Sequence, residues 1–391
     1  MLTSKQPLEE ELALLWHNHF ATNASDIAGD TGDPSSMMLD QHGLFRGYGL
    51  ADGNFAELAR GIIRDPAMLT YLNNDVNVKA HPNENFSREL MELFTLGEGR
   101  YSEHDVKQGA RALTGYGVKD RAFHFELNDH DLNQKSILGR TGRFNGEDFV
   151  QILLEQDACA LFIAQRLYRH FVADTFEDED RDAAAVIAAL AQVLRANGYQ
   201  LGPALQALFR SEHFFAPFNR GRKIKSTAQL IAGPARMLGT PRRDLSVIVG
   251  EMAIMGQRLF HPPSVAGWEG GRSWLTPSTL MARQNVCIYL ITGVLPAGVL
   301  ASQHVGIDPL TGGMDTARAG YDPSVLLKSV DHVTPQAAVD HLTQRLLAVP
   351  CDRRERAALT AYLVHRGGQV TGDDLLGLLV LITALPAYQL C

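Results

Sequence analysis

The sequence is poor in cysteine, and the spacing of the few cysteines excludes several kinds of site. Its 391 residues contain four, Cys159, Cys287, Cys351 and Cys391, and no two of them form a C-x-x-C pair. A zinc ribbon, a dithiol redox motif and a small disulfide-stapled fold are therefore excluded. Scattered thiols in a long chain are typical of buried apolar side chains, and we expect that role here.

The chain also lacks an excess of basic residues. It has 36 Lys and Arg against 44 Asp and Glu, which gives a net charge of −8. A broad basic face is therefore not expected, and neither is a nucleic-acid partner. The composition is 45% hydrophobic and 20% charged, which is ordinary for a globular chain with a sizeable buried core.

The patterns of a signal peptide and of a membrane span are missing as well. The opening MLTSKQPLEEELALLWHNHF has no basic start, apolar segment or small-residue cleavage site. The uncharged stretch 284–307 is interrupted by glycine and proline, and the apolar run 375–385 is shorter than the roughly 18 residues of a span. We expect both stretches to be buried helices and predict no transmembrane segment.

Apolar residues recur at intervals of three and four through most of the chain, which is the spacing of amphipathic helices. This spacing predicts helices over 8–20, 55–63, 86–96, 105–114, 148–155, 158–172, 183–196, 203–211, 224–238, 245–255, 278–292, 336–348, 353–365 and 373–385. We therefore predict an all-α fold in one large domain, 1–391. Any sub-division is expected to fall between a site-bearing part, 1–146, and a helical body, 147–391.

One stretch is typical of a strand. Phe123, Phe125 and Leu127 alternate with polar residues, and 136–138 is expected to pair back with them. This pattern predicts a small β-hairpin near 122–139.

Three irregular segments interrupt the helical pattern. Long irregular connections tend to be functional or mobile, and we expect this of 117–146 and 261–275. The third, 306–335, is interpreted as a surface excursion.

Two histidines lie at the end of the first predicted helix. Leu12 and Leu15 define an apolar stripe that includes His19, while His17 projects on the opposite side. An inward histidine is either a hydrogen-bonded core residue or a ligand. His17 and His19 are candidate metal ligands if the regular helix ends beside them.

The segment HPNENFSRELMELF, 81–94, predicts a helix that turns a carboxylate towards the core. Glu89 lies inside the apolar arc of this helix, and Glu92 lies just beyond its edge. An inward carboxylate needs an arginine, a metal or hydrogen-bond donors. Two interpretations stay open: an ion pair with Arg88, Arg111 or another arginine, or a catalytic site that also includes Glu84, Glu92 and Arg88.

Two further polar pairs are candidates. His130 and Asp131, at the tip of the predicted hairpin, suit proton transfer or metal binding, although a hydrophilic turn has the same composition. Arg166 and His170 are one helical turn apart, and we expect them to partner a buried carboxylate or bind substrate.

The glycine-rich loop 261–275 holds two of the three tryptophans, Trp268 and Trp274. Indoles beside flexible glycines make a stacking platform for sugars, and they equally serve to anchor a long loop. Both interpretations stay open.

Several of these blocks together resemble the bacterial family known as domain of unknown function 1800 (DUF1800). The resemblance rests on W-H-N-H-F (16–20), P-N-E-N-F-S-R-E-L-M-E-L-F-T-L-G (82–97), A-R-A-L-T-G-Y (110–116), H-D (130–131), I-L-G-R-T-G (137–142), R-L-Y-R-H-F-V (166–172), P-P-S-V-A-G-W-E-G-G (262–271) and A-Y-Q-L-C (387–391). It implies a mainly helical fold, a planctomycete-like bacterial source and frequent export, and it supplies no established reaction. Such proteins usually carry more sequence before W-H-N-H-F, so we expect this chain to lack a leader.

The expected function is that of a hydrolase with a buried site of histidines and carboxylates, in which Glu89 acts as acid, base or metal ligand. Mixed His and carboxylate ligands favour zinc, manganese or iron if a divalent metal is bound. A glycan is the expected substrate, from the tryptophan loop and from the sulfatase-like neighbours that the resemblance implies. The alternatives are a non-catalytic binding or assembly module for exported polysaccharide and a redox metalloprotein. Nucleophile-elbow, zincin, phosphate-loop and dinucleotide signatures are all missing from the sequence.

Overall fold

The computed structural model describes residues 1–28, 34–174, 181–296 and 321–391, and these ranges are predominantly helical. The α-helices there are α1 Pro7–His19, α2 Ala24–Ile27, α3 Ser35–Tyr48, α4 Phe55–Ile62, α5 Pro66–Tyr71, α6 Asn85–Glu92, α7 Glu103–Ala112, α8 Gly146–Leu154, α9 Asp157–Phe171, α10 Arg181–Ala196, α11 Leu201–Phe209, α12 Glu212–Phe215, α13 Thr227–Met237, α14 Leu245–Ile254, α15 Pro277–Thr292, α16 Pro335–Leu346, α17 Arg353–His365 and α18 Gly372–Ala384. Short 3-10 helices occupy Pro217–Asn219, Gly271–Trp274, Pro323–Leu327 and Pro386–Gln389. The predicted all-α fold is confirmed.

The helices begin where the sequence supplies caps. Ser102 caps α7 and Asn145 caps α8, and each forms a capping box with the aspartate three residues later. The observed ends of the helices predicted by periodicity lie within a few residues of the expected ones. Helix α6 is shorter than predicted. It ends at Glu92 because the chain turns there and places Phe94 in the core.

The strands form two hairpins rather than one. β1 (Tyr116–Lys119) pairs antiparallel with β2 (Ala122–Phe125), and β3 (Lys135–Ile137) pairs antiparallel with β4 (Arg140–Gly142). The expectation that 136–138 pairs back with 123–127 is therefore wrong. Each hairpin closes through two residues with positive φ, Asp120–Arg121 and Leu138–Gly139, and such turns match the twist of adjacent strands.

The described residues group into two compact units. The first unit comprises 5–214 and 259–269, and the second comprises 1–4, 215–258 and 270–391. The boundary near 146 that the sequence suggested falls inside the first unit.

One continuous hydrophobic core holds the first unit together. Aromatic side chains from α1, α4, α6 and α8 lie within it, among them Trp16, Phe55, Phe86 and Phe149. Full burial of such a side chain contributes about 1.5–3 kcal/mol, so this core is the main source of the unit's stability.

In the second unit, α15 packs against α13, α14 and α18. The apolar run 375–385 lies in α18, and the start of the uncharged stretch 284–307 lies in α15, as expected of buried helices. Residues 297–307 of that stretch, and 306–320 of the predicted surface excursion, lie outside the described residues. Within the described ranges, every helix is too short or too polar to cross a bilayer.

The four cysteines are free thiols. Cys159 and Cys287 are buried, as expected of thiols that act as apolar side chains, whereas Cys351 is partly exposed and Cys391 exposed.

Candidate functional site

The polar side chains Trp16 and Asn18 at the end of α1 bind the backbone of two other segments. Trp16 Nε1 donates to Gly49 O at 2.6 Å. Asn18 Oδ1 accepts from the Trp268 amide at 2.7 Å, and Asn18 Nδ2 donates to Trp268 O at 3.3 Å. Gly267, at φ +80°, has no room for a Cβ, which would lie 2.3 Å from Asn18 Oδ1. The end of α1 therefore ties α3 and the loop 259–269 to the core.

His17 takes part in the same arrangement. It projects away from the α1 stripe as expected, but the loop 259–269 covers it, so the ring is buried against Phe260 and Trp268. Its Nε2 accepts the Phe260 amide proton at 2.9 Å. Burial lowers the pKa of His17 to about 4, and the nearby His42 and His261 act in the same direction. His17 is therefore neutral, and its Nε2 lone pair is occupied.

His19 is inward, as the periodicity predicted. Its Nε2 lies 3.0 Å from Phe94 O, and the ring is in edge contact with Phe20. Burial holds the pKa of His19 well below its usual range, and the charge of Arg166 adds to this effect. Within the described ranges its Nδ1 has no hydrogen-bond partner.

The structure does not assemble the predicted metal ligands. Among the described residues, no three His, Cys, Asp or Glu side chains form a group suited to hold a metal ion. His17, His19 and Glu89 are therefore not brought together as one ligand set. The two histidines instead direct Nε2 to backbone groups, which is the core role that the sequence left open.

The carboxylates of α6 fall into two kinds. Arg88 pairs with Glu84 at 3.3 Å and with Glu103 at 2.7 Å, and Glu92 accepts a short hydrogen bond from Tyr101. Glu89 is half-buried, and in the described part of the chain its carboxylate accepts no side-chain or backbone hydrogen bond.

Burial raises the pKa of Glu89, and the charge of Glu92 acts in the same direction while Arg88 opposes both. Among the residues that the structure describes, no arginine forms the ion pair with Glu89 that the sequence left open. Arg88 is engaged by Glu84 and Glu103, and Arg111 binds Asp131 at 2.7 Å.

His130 and Asp131 lie in a turn whose polar groups are bonded to one another. His130 Nδ1 lies 2.8 Å from Thr114 O, the Asp131 amide donates to Thr114 Oγ1 at 2.8 Å, and buried Lys135 donates to Asp131 O. Against the effect of burial, the Arg111 guanidinium, the Asn133 amide and the charge of Lys135 hold the pKa of the Asp131 carboxyl below its usual range. The partners of this pair are thus Arg111, Thr114 and Lys135 rather than Glu89, which favours the structural turn.

Arg166 and His170 lie on α9. Arg166 stacks over Phe162 at 5.0 Å and donates weakly to Leu93 O at 3.5 Å. Burial lowers the pKa of Arg166 to about 10. His170 Nε2 lies 3.3 Å from Glu11 Oε2, a carboxylate that is partly exposed rather than buried.

Both loop tryptophans are buried. Trp268 is 5% exposed and Trp274 is 7% exposed, and they belong to different units. Neither indole presents an open face, so the geometry favours the anchoring interpretation over a stacking platform.

Sequence reasoning missed one pair of chemically reactive side chains. Ser25 Oγ lies 3.0 Å from His261 Nδ1, and both residues line a cavity of about 430 Å³ in the first unit. The pair is 236 positions apart in the chain, so neither a motif nor a spacing could have signalled it. The one local signal is His261 itself, which the sequence places before Pro262 in an irregular loop.

Comparison with known proteins identifies a family but no reaction. The family model described as "Protein of unknown function (DUF1800)" matches residues 1–390, and the chain belongs to this family. No curated protein and no solved structure matches the chain.

Proposed function

We propose that this member of the DUF1800 family is a hydrolase in which the Glu89 carboxyl transfers a proton to or from the substrate. The observation that carries the proposal is the isolation of Glu89 on α6. Its side chain is half-buried, while Arg88, the one arginine of the described residues whose charge acts on it, is bound to two other carboxylates. Structural carboxylates of this chain, such as Asp131, show the opposite pattern of several partners.

The surroundings of Glu89 suit proton transfer. Its raised pKa brings the carboxyl closer to neutral pH, where an acid–base group exchanges protons most effectively. Two phenols lie nearby. Burial raises the pKa of Tyr71 and of Tyr101, and the charge of Glu89 adds to the rise in each. A substrate bound here would meet one carboxyl and two hydroxyl groups.

The proposal routes no step through a metal, because the described residues do not group the predicted ligands. It also names no glycan, because the indoles on which that expectation depended are buried. Both remain predictions from the sequence.

The test compares two α6 variants, Glu89→Gln and Glu84→Gln. Gln preserves the size of Glu89, so we expect the thermal unfolding midpoint of Glu89→Gln to match the wild type. We expect hydrolysis of chromogenic glycosides to fall by about 10²–10⁴-fold. Glu84, which is paired with Arg88, serves as the matched control, and its Gln variant should retain activity.

Two outcomes would contradict the proposal. One is wild-type hydrolysis by Glu89→Gln. The other is a destabilisation of about 3–5 kcal/mol in this variant, which would show that Glu89 compensates a buried charge.

A binding or assembly module is the second candidate, and one observation favours it. Every polar side chain of the W-H-N-H-F block binds the chain's own backbone, as expected of a framework that specifies shape. A wild-type chain that hydrolyses none of the chromogenic substrates would support this candidate.

A further inference from the structure

We propose that Ser25 and His261 are the nucleophile and base of an acyl-transfer site that hydrolyses esters with small apolar acyl groups. The inference shares its reaction class with the proposed hydrolase, and it rests on contacts that do not involve Glu89. A serine hydroxyl at hydrogen-bond distance from an imidazole nitrogen is the arrangement that activates serine for attack. Here Ser25 Oγ and His261 Nδ1 are 3.0 Å apart.

Two segments distant in sequence are joined at this point by interleaved hydrogen bonds. The Ala24 amide donates to Phe260 O at 2.8 Å, and Asn23 Nδ2 donates to Pro262 O at 3.2 Å. The Asn23 side chain also accepts the Ser25 amide at 2.9 Å. These bonds hold the backbones that carry Ser25 and His261 next to each other.

Phe260 is in a backbone conformation that phenylalanine rarely adopts. Its φ is +63°, and such a residue persists only where its surroundings determine it. Here the Phe260 amide donates to His17 Nε2 and its carbonyl accepts from Ala24, so both peptide groups are held. The turn at Phe260 orients the next residue, His261, towards Ser25. His17 therefore helps to hold the turn that precedes His261.

The cavity beside the pair indicates the class of substrate. Its volume is about 430 Å³, which suits a small organic ligand. Apart from Ser25, Ser35 and His261, the side chains that line it are apolar: Ala24, Ala28, Pro34, Met38, Leu39 and Phe260. Among the described residues that line it, His261 is the one ionisable side chain, so an uncharged acyl chain fits better than an anionic or a sugar substrate.

The reaction follows from these two groups. Ser25 Oγ attacks the ester carbonyl carbon, and its proton passes to His261 Nδ1. The ester C–O bond then breaks, and the alcohol leaves with that proton from His261. Water attacks the acyl-serine, gives one proton to His261 and releases the carboxylic acid, after which Ser25 Oγ recovers the proton.

The experiment treats the whole chain with a fluorophosphonate probe and locates the adduct by peptide mass spectrometry. We expect the adduct on Ser25, formed by attack on phosphorus with loss of fluoride, and we expect labelling to fall at least 100-fold in His261→Ala. In parallel, hydrolysis of p-nitrophenyl butyrate should fall at least 100-fold in Ser25→Ala. Ser264→Ala is the matched control, since Ser264 is an exposed serine of the same loop that does not line the cavity.

The side chain of Ser25 is exposed, so Ser25→Ala should unfold at the wild-type temperature, which a melting curve checks. An unlabelled Ser25, or equal labelling of wild type and His261→Ala, would overturn the inference. So would p-nitrophenyl butyrate hydrolysis by Ser25→Ala at the wild-type rate.

Glu89→Gln separates this inference from the proposed function. If this variant loses hydrolysis while Ser25 remains unlabelled in the wild type, the inference fails and the Glu89 proposal stands. If Ser25 is labelled and Glu89→Gln is fully active, the reverse holds.

Discussion

Polar side chains are buried or partly buried in two regions of the first unit, and the two regions differ in how these side chains are hydrogen-bonded. At the end of α1, Trp16, His17 and Asn18 each bind a backbone group of another segment. On α6, Glu89 is also removed from much of the solvent, yet no described group hydrogen-bonds to it. A buried polar group with matched partners specifies the fold, whereas one without partners costs stability and is more often kept for chemistry. The two regions therefore divide into framework and candidate site.

The two regions also differ in the free-energy cost of a substitution. Breaking one partner at the α1 framework leaves a buried donor or acceptor without a bond, at a cost of about 1–3 kcal/mol. Neutralising Glu89 removes an unpaired charge from a partly buried place, which costs little and can stabilise the fold. Substitutions in the framework should therefore act on stability, and substitutions at Glu89 on activity.

The largest effect is expected at Trp268, which holds the loop 259–269 on α1. Trp268→Ala should lower the free energy of unfolding by about 3–5 kcal/mol, because it removes a buried aromatic side chain. Urea unfolding followed by circular dichroism measures the change. Trp268→Phe is the control and should recover part of the loss. A change below about 1 kcal/mol in Trp268→Ala would place Trp268 outside the framework.

The next effect concerns pH, where two buried groups act in opposite directions. His17 has a pKa of about 4 in the fold and 6.5 in the unfolded chain. Between these values the unfolded chain binds a proton that the folded chain does not, so stability falls as the pH falls. His17 contributes roughly 3 kcal/mol at neutral pH, fully present above about pH 6.5 and lost towards pH 4.

Asp65 has the opposite sign. It caps α5 and accepts from Met68 N–H at 2.9 Å and from Gln41 Nε2 at 2.7 Å, but burial outweighs these bonds and raises its pKa to about 7. The folded chain therefore holds a proton that the unfolded chain releases above its usual value of 3.8. Its stabilising contribution, roughly 4 kcal/mol, is complete at low pH and is lost as the pH rises through 7.

Each of these two pH dependences of stability can be removed by a substitution that keeps the hydrogen bond. His17→Gln retains an acceptor for the Phe260 amide, and Asp65→Asn retains one for Met68. Relative to the wild type, we expect His17→Gln to gain stability towards pH 4.5 and Asp65→Asn to gain stability towards pH 7.5. Urea unfolding free energies at four pH values between these limits provide the measurement. Profiles parallel to the wild type would show that neither group is neutral in the fold.

The sequence predicted the framework better than the chemistry. Helical periodicity predicted α1 and α6 and placed His19 and Glu89 on their inward faces, because a period of 3.6 residues indicates which face of a helix is buried. It missed α3, in which Gly43 and Gly47 weaken the helical pattern while Met37 and Phe45 are buried.

The features that the sequence did not predict depend on contacts between distant segments. Periodicity turned His17 away from the core, and this was correct for the helix, but the loop 259–269 supplies a second apolar surface there. The Ser25–His261 contact depends on the positive φ of Phe260, which several hydrogen bonds from distant segments impose. These bonds join segments that are far apart in the sequence, so no local spacing rule could have predicted the pair.

The smallest effect is expected at the border between the two kinds of region, where Tyr101 donates to Glu92 next to Glu89. Both partners are partly exposed, so Tyr101→Phe should cost only about 1 kcal/mol, which differential scanning calorimetry resolves. Loss of the phenol oxygen should also let water reach the half-buried carboxyl of Glu89 more easily, which weakens the burial effect and moves the pKa of Glu89 towards its usual value. We therefore expect the acidic limb of the pH–rate profile of Tyr101→Phe to shift to lower pH while the maximal rate stays within a few-fold of the wild type. An unchanged limb would show that Glu89 does not set it, and a loss of rate as large as that of Glu89→Gln would place Tyr101 among the proton-transfer groups.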